Sequence, residues 1–518
     1  MDQNNKRILK NTLFLYTRMI LILVVNLITY RLILQVLGVE DYGIYQVVGG
    51  IVLLFTILNG ALSSGSSRFI TFSLGKEDCQ DLKNTFSVSF TIHLAMAVVI
   101  FLLLETIGLW YINTHLVVPE ERMVAVNWIY QFSVLSCMLS LTQVPYSSLI
   151  IAHERMDIYA FVGVAEVIFK LVLVGTLFFI GNTDKLIMYG LLICLWSFAL
   201  QGYYRYFCFR KYPESHLILV KDKVYYKSMI SFSFWDMIGC FTVQGNTQGV
   251  NLMINAFFGV IYNAAFGLAN QIRGILSQFS DNFMTAVIPQ ITKKYAERDF
   301  KRVNSLVFNA SKMGFLLYAI IAVPVYFEVE YLLRLWLTEV PDKTPLFLQL
   351  TILYCLIRSF ARPVVSAIHA SGYIKWLNIL SGGFAVLTTL PLTYALYVMG
   401  FVIETTFWVS IVNSAICNGI ELWCLRKVDS SFCVTGYIRN VYIPCVILAI
   451  IVFAILYTLV MYLESSFIRL IIVGVVSTIS IVAMAYLFIL SKGQKEAIRM
   501  KVATTISKYK QLLVLTKK

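Results

Sequence analysis

The sequence predicts an all-α polytopic membrane protein of about 14 transmembrane helices, arranged as two six-helix pseudo-symmetric bundles plus two C-terminal helices. Three observations predict it. The 518-residue chain is 59% hydrophobic and 14% charged, with a mean hydropathy of +0.76. Soluble domains carry roughly 25% charged residues, so this chain has too few to cover a water-facing surface and takes lipid as its main solvent. Fourteen stretches approach the length of about 20 apolar residues that a bilayer demands. Finally, one pattern occurs twice, about 221 residues apart, with no gap needed. Gly38-Val39 falls on Gly259-Val260, Tyr45 on Phe266, Ile51 on Ile272, and Glu77-Asp78 on Arg298-Asp299. Each copy reads as helix, Gly-Val turn, long helix, charged segment. A membrane protein of two similar halves has a seam where they meet, and substrate sites of transporters lie at such seams.

In chain order the spans fall near 12–36, 42–70, 85–112, 124–151, 157–180, 184–207, 228–256, 262–291, 311–336, 345–368, 375–399, 402–425, 438–462 and 467–490. Lys6, Arg7 and Lys10 precede the first, which is too long for a signal-peptide core and has no small-residue cleavage site after it, so it is read as a retained helix. The connections are short. The most basic, 208–227, separates 1–207, the first bundle, from 228–426, the second; 427–518 holds two extra helices and a basic tail. The charged segments 74–84 and 293–304 occupy equivalent repeat positions and read as interfacial helices.

The net charge of +14 does not point to nucleic acid, because the basic residues cluster in alternate short connections. Arg68, Lys76, Arg155, Arg210, Lys211, Lys293, Lys294, Arg426 and Lys427 belong to one side, with the tail from Lys492 to Lys518. The other side holds little beyond Arg122, Lys185, Lys343 and Arg469. Roughly three quarters of all Lys and Arg fall on the first side, which predicts both termini in the cytoplasm. The ten cysteines form no C-x-x-C and read as polarizable core residues. No catalytic or metal-ligand pattern stands out.

Function is sought where polar groups enter apolar spans, since a charge at the bilayer centre costs about 2.5–3.5 kcal/mol on insertion scales. Span one carries Arg18 and Arg31, either snorkelling to the interfaces or lining a cavity. Span seven carries Asp236 and the amides Gln244, Gln248, Asn251 and Asn255, whose spacings of three and four put them on one face. That face is either inter-helix hydrogen-bonding glue or a cavity wall. Span eight adds Asn270, Arg273 and Asp281. Arg273 lies near mid-span, where snorkelling helps least, and Asp281 is eight residues on, near the same face. Glu166 and Lys170 in span five form an i, i+4 pair, either neutralising or ion-coupling. Arg358 and Arg362 in span ten, one turn apart before Pro363, call for an anion, a wet cleft or the nearby interface. The reading that follows places Arg18, Arg273 and the amide face on one central space. Asp281 then pairs with Arg273 or takes up H+ or Na+ when cargo leaves. Guanidinium suits phosphate oxygens, so the cargo is expected to be anionic and hydroxyl-rich.

The run Leu37-Gly38-Val39-Glu40-Asp41-Tyr42-Gly43-Ile44-Tyr45, together with this architecture, resembles the polysaccharide-transporter branch of the multidrug/oligosaccharidyl-lipid/polysaccharide (MOP) exporter superfamily, and within it Wzx-type O-antigen and capsule-unit flippases. The resemblance implies a MATE-like, V-shaped pair of bundles in a bacterial inner membrane. It implies flipping of an undecaprenyl-pyrophosphate-linked oligosaccharide by alternating access, coupled in many members to an ion gradient. Membrane lipid, a polysaccharide polymerase and a chain-length regulator would be the partners, with no cofactor beyond a coupling H+ or Na+. A MATE-like multidrug or small-cation antiporter is the near alternative, disfavoured by buried arginine. A polysaccharide polymerase, an enzyme, is the distant one, disfavoured by the short outside loops. ATP-driven transport lacks a G-x-x-x-x-G-K-[ST] run.

Overall fold

A computed structural model describes residues 3–53, 56–115, 119–179, 181, 183–336, 340, 342–489 and 495–496. Among these the chain is helical throughout, with no strand. The long helices are α1 Gln3–Leu53, α2 Thr56–Gly75, α3 Cys79–Leu103, α4 Met123–Ala152, α5 Met156–Leu177 and α6 Lys185–Lys211. A second series follows as α7 Lys223–Phe258, α8 Val260–Ala296, α9 Phe300–Phe327, α10 Thr344–Arg358, α11 Ala361–Ser371, α12 Phe384–Val398 and α13 Thr405–Val428. The last two are α14 Ile443–Tyr462 and α15 Phe467–Met484. The tail beyond Lys492, placed in the cytoplasm by the sequence reading, lies almost wholly outside the described residues.

Nine helical segments among the described residues are long and apolar enough to cross a membrane, ten with the bent pair α10–α11 taken as one. The expected fourteen is consistent with this: α7 and α8, at 36 and 37 residues, fall outside on polarity and not on length, and the first two expected spans fall on α1 and α2, where a shorter apolar stretch, Asn11–Asn26, is found. These are the amide-rich helices, and they gain by facing one another and water instead of lipid.

The backbone carries the internal repeat at the positions where the sequence repeats. Gly38 (φ 79, ψ 171) kinks α1, and Gly259 (φ 87, ψ −175) separates α7 from α8. That region is essentially closed to residues with a Cβ. Glu77 and Arg298, equivalent in sequence, both sit at positive φ, 59° and 58°. The next residues, Asp78 and Asp299, both cap the following helix, accepting from Gln80 and Asp81 N–H in one half and from Arg302 N–H in the other. One pattern of turn chemistry therefore ends the second helix of each half.

The first-half helices pack around Phe86, Ile100, Tyr130 and Leu149, and the second-half helices around Val307, Ala322, Ile352 and Tyr437. At one end of the first half Arg122 spans Asp41 and Asp184, with its Nη1 2.6 Å from Asp184, tying α1 and the starts of α4 and α6 together. At the same end of the second half Arg469 clasps the fully buried Glu328 at 2.9 and 3.0 Å, joining α15 to the end of α9. The opposite end carries the basic turns, and there the halves touch. Tyr16 donates to Phe279 O at 2.8 Å, Phe69 meets Phe232 edge-on, and Lys293 pairs with Glu154. Among the described residues these contacts run from the basic end to about the middle of α8, and beyond it the halves diverge around a cleft toward the other end.

Candidate functional site

Inside the second bundle lies a cavity of about 460 Å³. It exists because α10–α11 is broken. The chain bends by 44° between Arg358 and Ala361, and Pro363 can supply no N–H to a continuous helix there. Broken helices at membrane depth are tolerated where they line a cavity. Arg358 and Arg362, on either side of the break, both reach this space. From α7 come Thr242, Asn246 and Val250, four residues apart on one face; α8 supplies Asn270, Arg273 and Asp281.

The three arginines are not equivalent. Arg358 donates to Glu421 at 2.8 Å and Asn418 at 3.1 Å, and Ser381 donates to the same Glu421 oxygen at 3.0 Å. Glu421 is 2% exposed while Arg358 reaches the cavity, so the pair is neutral and its acid is the buried member. Arg362 pairs with Asp281 at 2.9 Å, and both side chains remain about half exposed to the cavity. Arg273 has no ion-pair or hydrogen-bond partner among the described residues. It sits by Tyr318, Tyr354 and Cys355. A guanidinium without a carboxylate partner in a polar cavity has its planar donors available to an oxygen-rich group.

The structure corrects two expectations. Asp281 does not pair with Arg273. The residues are about 12 Å apart along α8, and a cation from α11 lies across from Asp281 instead. Nor do Arg18 and Arg273 share one central space. Arg18 turns into the first bundle, packs on Gly163 and stacks 4.6 Å over the Tyr159 ring; a Cβ on Gly163 would lie 2.1 Å from its Nε. The side chain of Arg31 lies outside the described residues, as does that of Asn255.

The amide face of α7 points away from the cavity. Gln244 and Asn251 follow Ser233 by 11 and 18 residues, three and five whole turns, and Ser233 faces Gly65 of the first bundle. Gln244 and Gln248 are exposed, so this stripe lines the cleft between the halves while the opposite face of the same helix lines the cavity. Asp236 is buried near the basic end, 3.7 Å from His369. Glu166 and Lys170 pair at 2.8 Å in the first bundle, both partly exposed. Sequence reasoning missed Glu421. The available signal was a lone acid in an apolar span, three residues after Asn418 and eight after Asn413.

Comparison with known proteins gives a consistent picture. Residues 8–295, more than half of the chain, match a family described as polysaccharide biosynthesis protein, and residues 237–395 match the MatE family. No curated protein matches the chain. Among solved structures the fold is similar to an outward-facing multidrug resistance MATE family transporter of the MOP superfamily, with 14% identity and a TM-score of 0.69. It is also similar to the Vibrio cholerae MATE transporter VcmN, with 14% identity and a TM-score of 0.68, and to a MATE in the straight conformation, with 13% and 0.70. In each case the match covers 83% of this chain and 97% of the other. With its all-helical membrane fold, doubled architecture and polar interior, the chain belongs to the polysaccharide biosynthesis protein family, the polysaccharide-transporter branch of the MOP superfamily of membrane transporters.

Proposed function

We propose that this transporter moves an undecaprenyl-pyrophosphate-linked oligosaccharide from the inner to the outer leaflet of a bacterial inner membrane, by alternating access, for O-antigen, capsule or exopolysaccharide synthesis. The observation that carries the reading is Arg273, a guanidinium without a partner at membrane depth. A cavity of about 460 Å³ suits a pyrophosphate with a sugar and is too small for a whole glycan. The glycan would lie along the amide stripe of α7 in the cleft. Asp281 and Arg362, paired across the cavity, supply a coupling device. Anionic cargo competes with Asp281 for Arg362; once the cargo has left, Asp281 either pairs with Arg362, as it does here, or takes up H+ or Na+. A ligand shifts such an equilibrium only by its differential affinity for the two states.

The test is reconstitution into vesicles with a fluorescent lipid-pyrophosphate-linked oligosaccharide in one leaflet. Protein-dependent movement to the other leaflet is expected. Asp281→Asn should keep downhill movement and lose its response to an imposed proton or sodium gradient; an unchanged response would remove Asp281 from coupling. The match of residues 237–395 to the MatE family favours a second reading, a multidrug-type cation antiporter. Gradient-driven uptake of a fluorescent organic cation, with no movement of the lipid-linked glycan, would establish that reading and refute ours.

Orientation is part of the proposal: the basic end faces the cytoplasm, so the cleft opens outward. Single cysteines at Lys221 and Lys301, both exposed, on a Cys-less background, should resist a membrane-impermeant maleimide in whole cells and react in inside-out vesicles. Labelling in whole cells would reverse the topology.

A further inference from the structure

At the basic end the two halves grip each other reciprocally. Gly75 ends α2 and Ala296 ends α8, and the two residues are equivalent in the repeat. They meet where these helices cross: a Cβ on Gly75 would lie 3.0 Å from the Ala296 Cβ and 2.9 Å from Lys293 Cα. From that crossing each helix reaches the turn after the fourth span of the opposite half. Lys293 and Gln290 of α8 donate to the carboxylate of Glu154 at 3.1 and 3.4 Å. Glu154 is held at φ 58°, its side chain 4% exposed. Arg68 of α2 donates from Nε to His369 O at 2.8 Å and from Nη2 to Ala370 O at 3.1 Å. Those carbonyls end α11, where the helix dipole is negative. Gly372, at φ 82°, leaves the room Arg68 occupies, since a Cβ there would lie 2.7 Å from Nη2. Phe69 and Phe232 stack on the same guanidinium at 4.4 and 5.2 Å.

We propose that these two contacts, Lys293 on Glu154 and Arg68 on the end of α11, are a pseudo-symmetric pair of latches that shuts the basic end, and that both release when the transporter opens to that side. The proposal rests on the alternating-access reading above. The physical argument concerns what each latch costs when half of it is lost. A buried ion pair across a seam nearly balances Coulomb gain against desolvation, so it fixes geometry while leaving closure easy to reverse. Removing one charge of the pair leaves the other in the closed seam without its opposite charge, and opening hydrates it. The imbalance therefore favours opening. Removing both charges restores the balance.

Ser233 reports on the seam: it is 6% exposed and covered by Gly65. With Ser233→Cys on a Cys-less background, a membrane-impermeant maleimide added to inside-out vesicles should react slowly. Glu154→Gln and Lys293→Met should each raise the rate at least about fivefold, and the double variant should return it near the starting rate. Arg68→Met, which removes the donors of the other latch, should raise it as well. Each variant is first shown to be monodisperse in detergent with an unchanged unfolding temperature, so that misfolding is set aside. Single variants that label at the starting rate, or a double variant that labels as fast as the singles, would overturn the latches. Acceleration seen in right-side-out vesicles and not in inside-out ones would instead reverse the orientation and leave the latch geometry supported.

Discussion

Arg273→Ala should abolish movement of lipid-linked oligosaccharide in vesicles and surface polysaccharide in cells, with the protein still present in the membrane and its unfolding temperature nearly unchanged. The combination follows from the absence of a partner. Arg273 offers paired donors to the cavity and holds no carboxylate of its own. Its removal leaves no orphaned charge, so the fold loses little. The cargo would lose one or two charge-assisted hydrogen bonds of about 1.5–3 kcal/mol each, at least about tenfold in affinity. Arg273→Lys should recover part of the activity, because a point charge lacks the planar fork. Arg358→Ala provides the contrast: it strands the buried Glu421 carboxylate and should lower stability and transport together. Normal transport by Arg273→Ala, or its collapse as a folding defect, would remove the cavity from the cargo path.

Arg469→Met should be the most destabilising single change outside the site. Glu328 is fully buried and its carboxylate is met by Arg469 at 2.9 and 3.0 Å, where the end of α9 meets the start of α15. Breaking such a pair costs about 3–5 kcal/mol, because a carboxylate is left in the interior without a cation. The double variant Arg469→Met/Glu328→Leu should regain most of the loss, since apolar residues of similar volume carry no desolvation penalty. Unfolding in detergent, followed by heat or by denaturant, reads both. A single variant as stable as the parent, or a double variant no better than the single, would show that the clasp is solvated and contributes little.

The legible part of this protein was whatever follows from one segment at a time. Helical spans follow from apolar length, because lipid leaves no other way to satisfy backbone N–H and C=O groups. The turns at Gly38 and Gly259 follow from residue type, and so do the caps at Asp78 and Asp299, because few residues tolerate those φ/ψ values or offer that acceptor. The amide stripe of α7 was legible as a face, by periodicity alone. It was not legible that the opposite face, with Thr242 and Asn246, would line a second polar space.

By itself the sequence determined a doubled, all-helical membrane transporter with polar groups concentrated in its seventh and eighth spans. Tertiary structure alone decided which charges are spent and which are free. Arg358 and Arg362 look alike in sequence, yet Glu421 is 63 residues from the first and Asp281 is 81 residues before the second. Arg273 is left without either. Pairing depends on which helix faces which across a few ångströms, while sequence periodicity fixes only the direction a side chain takes from its own axis.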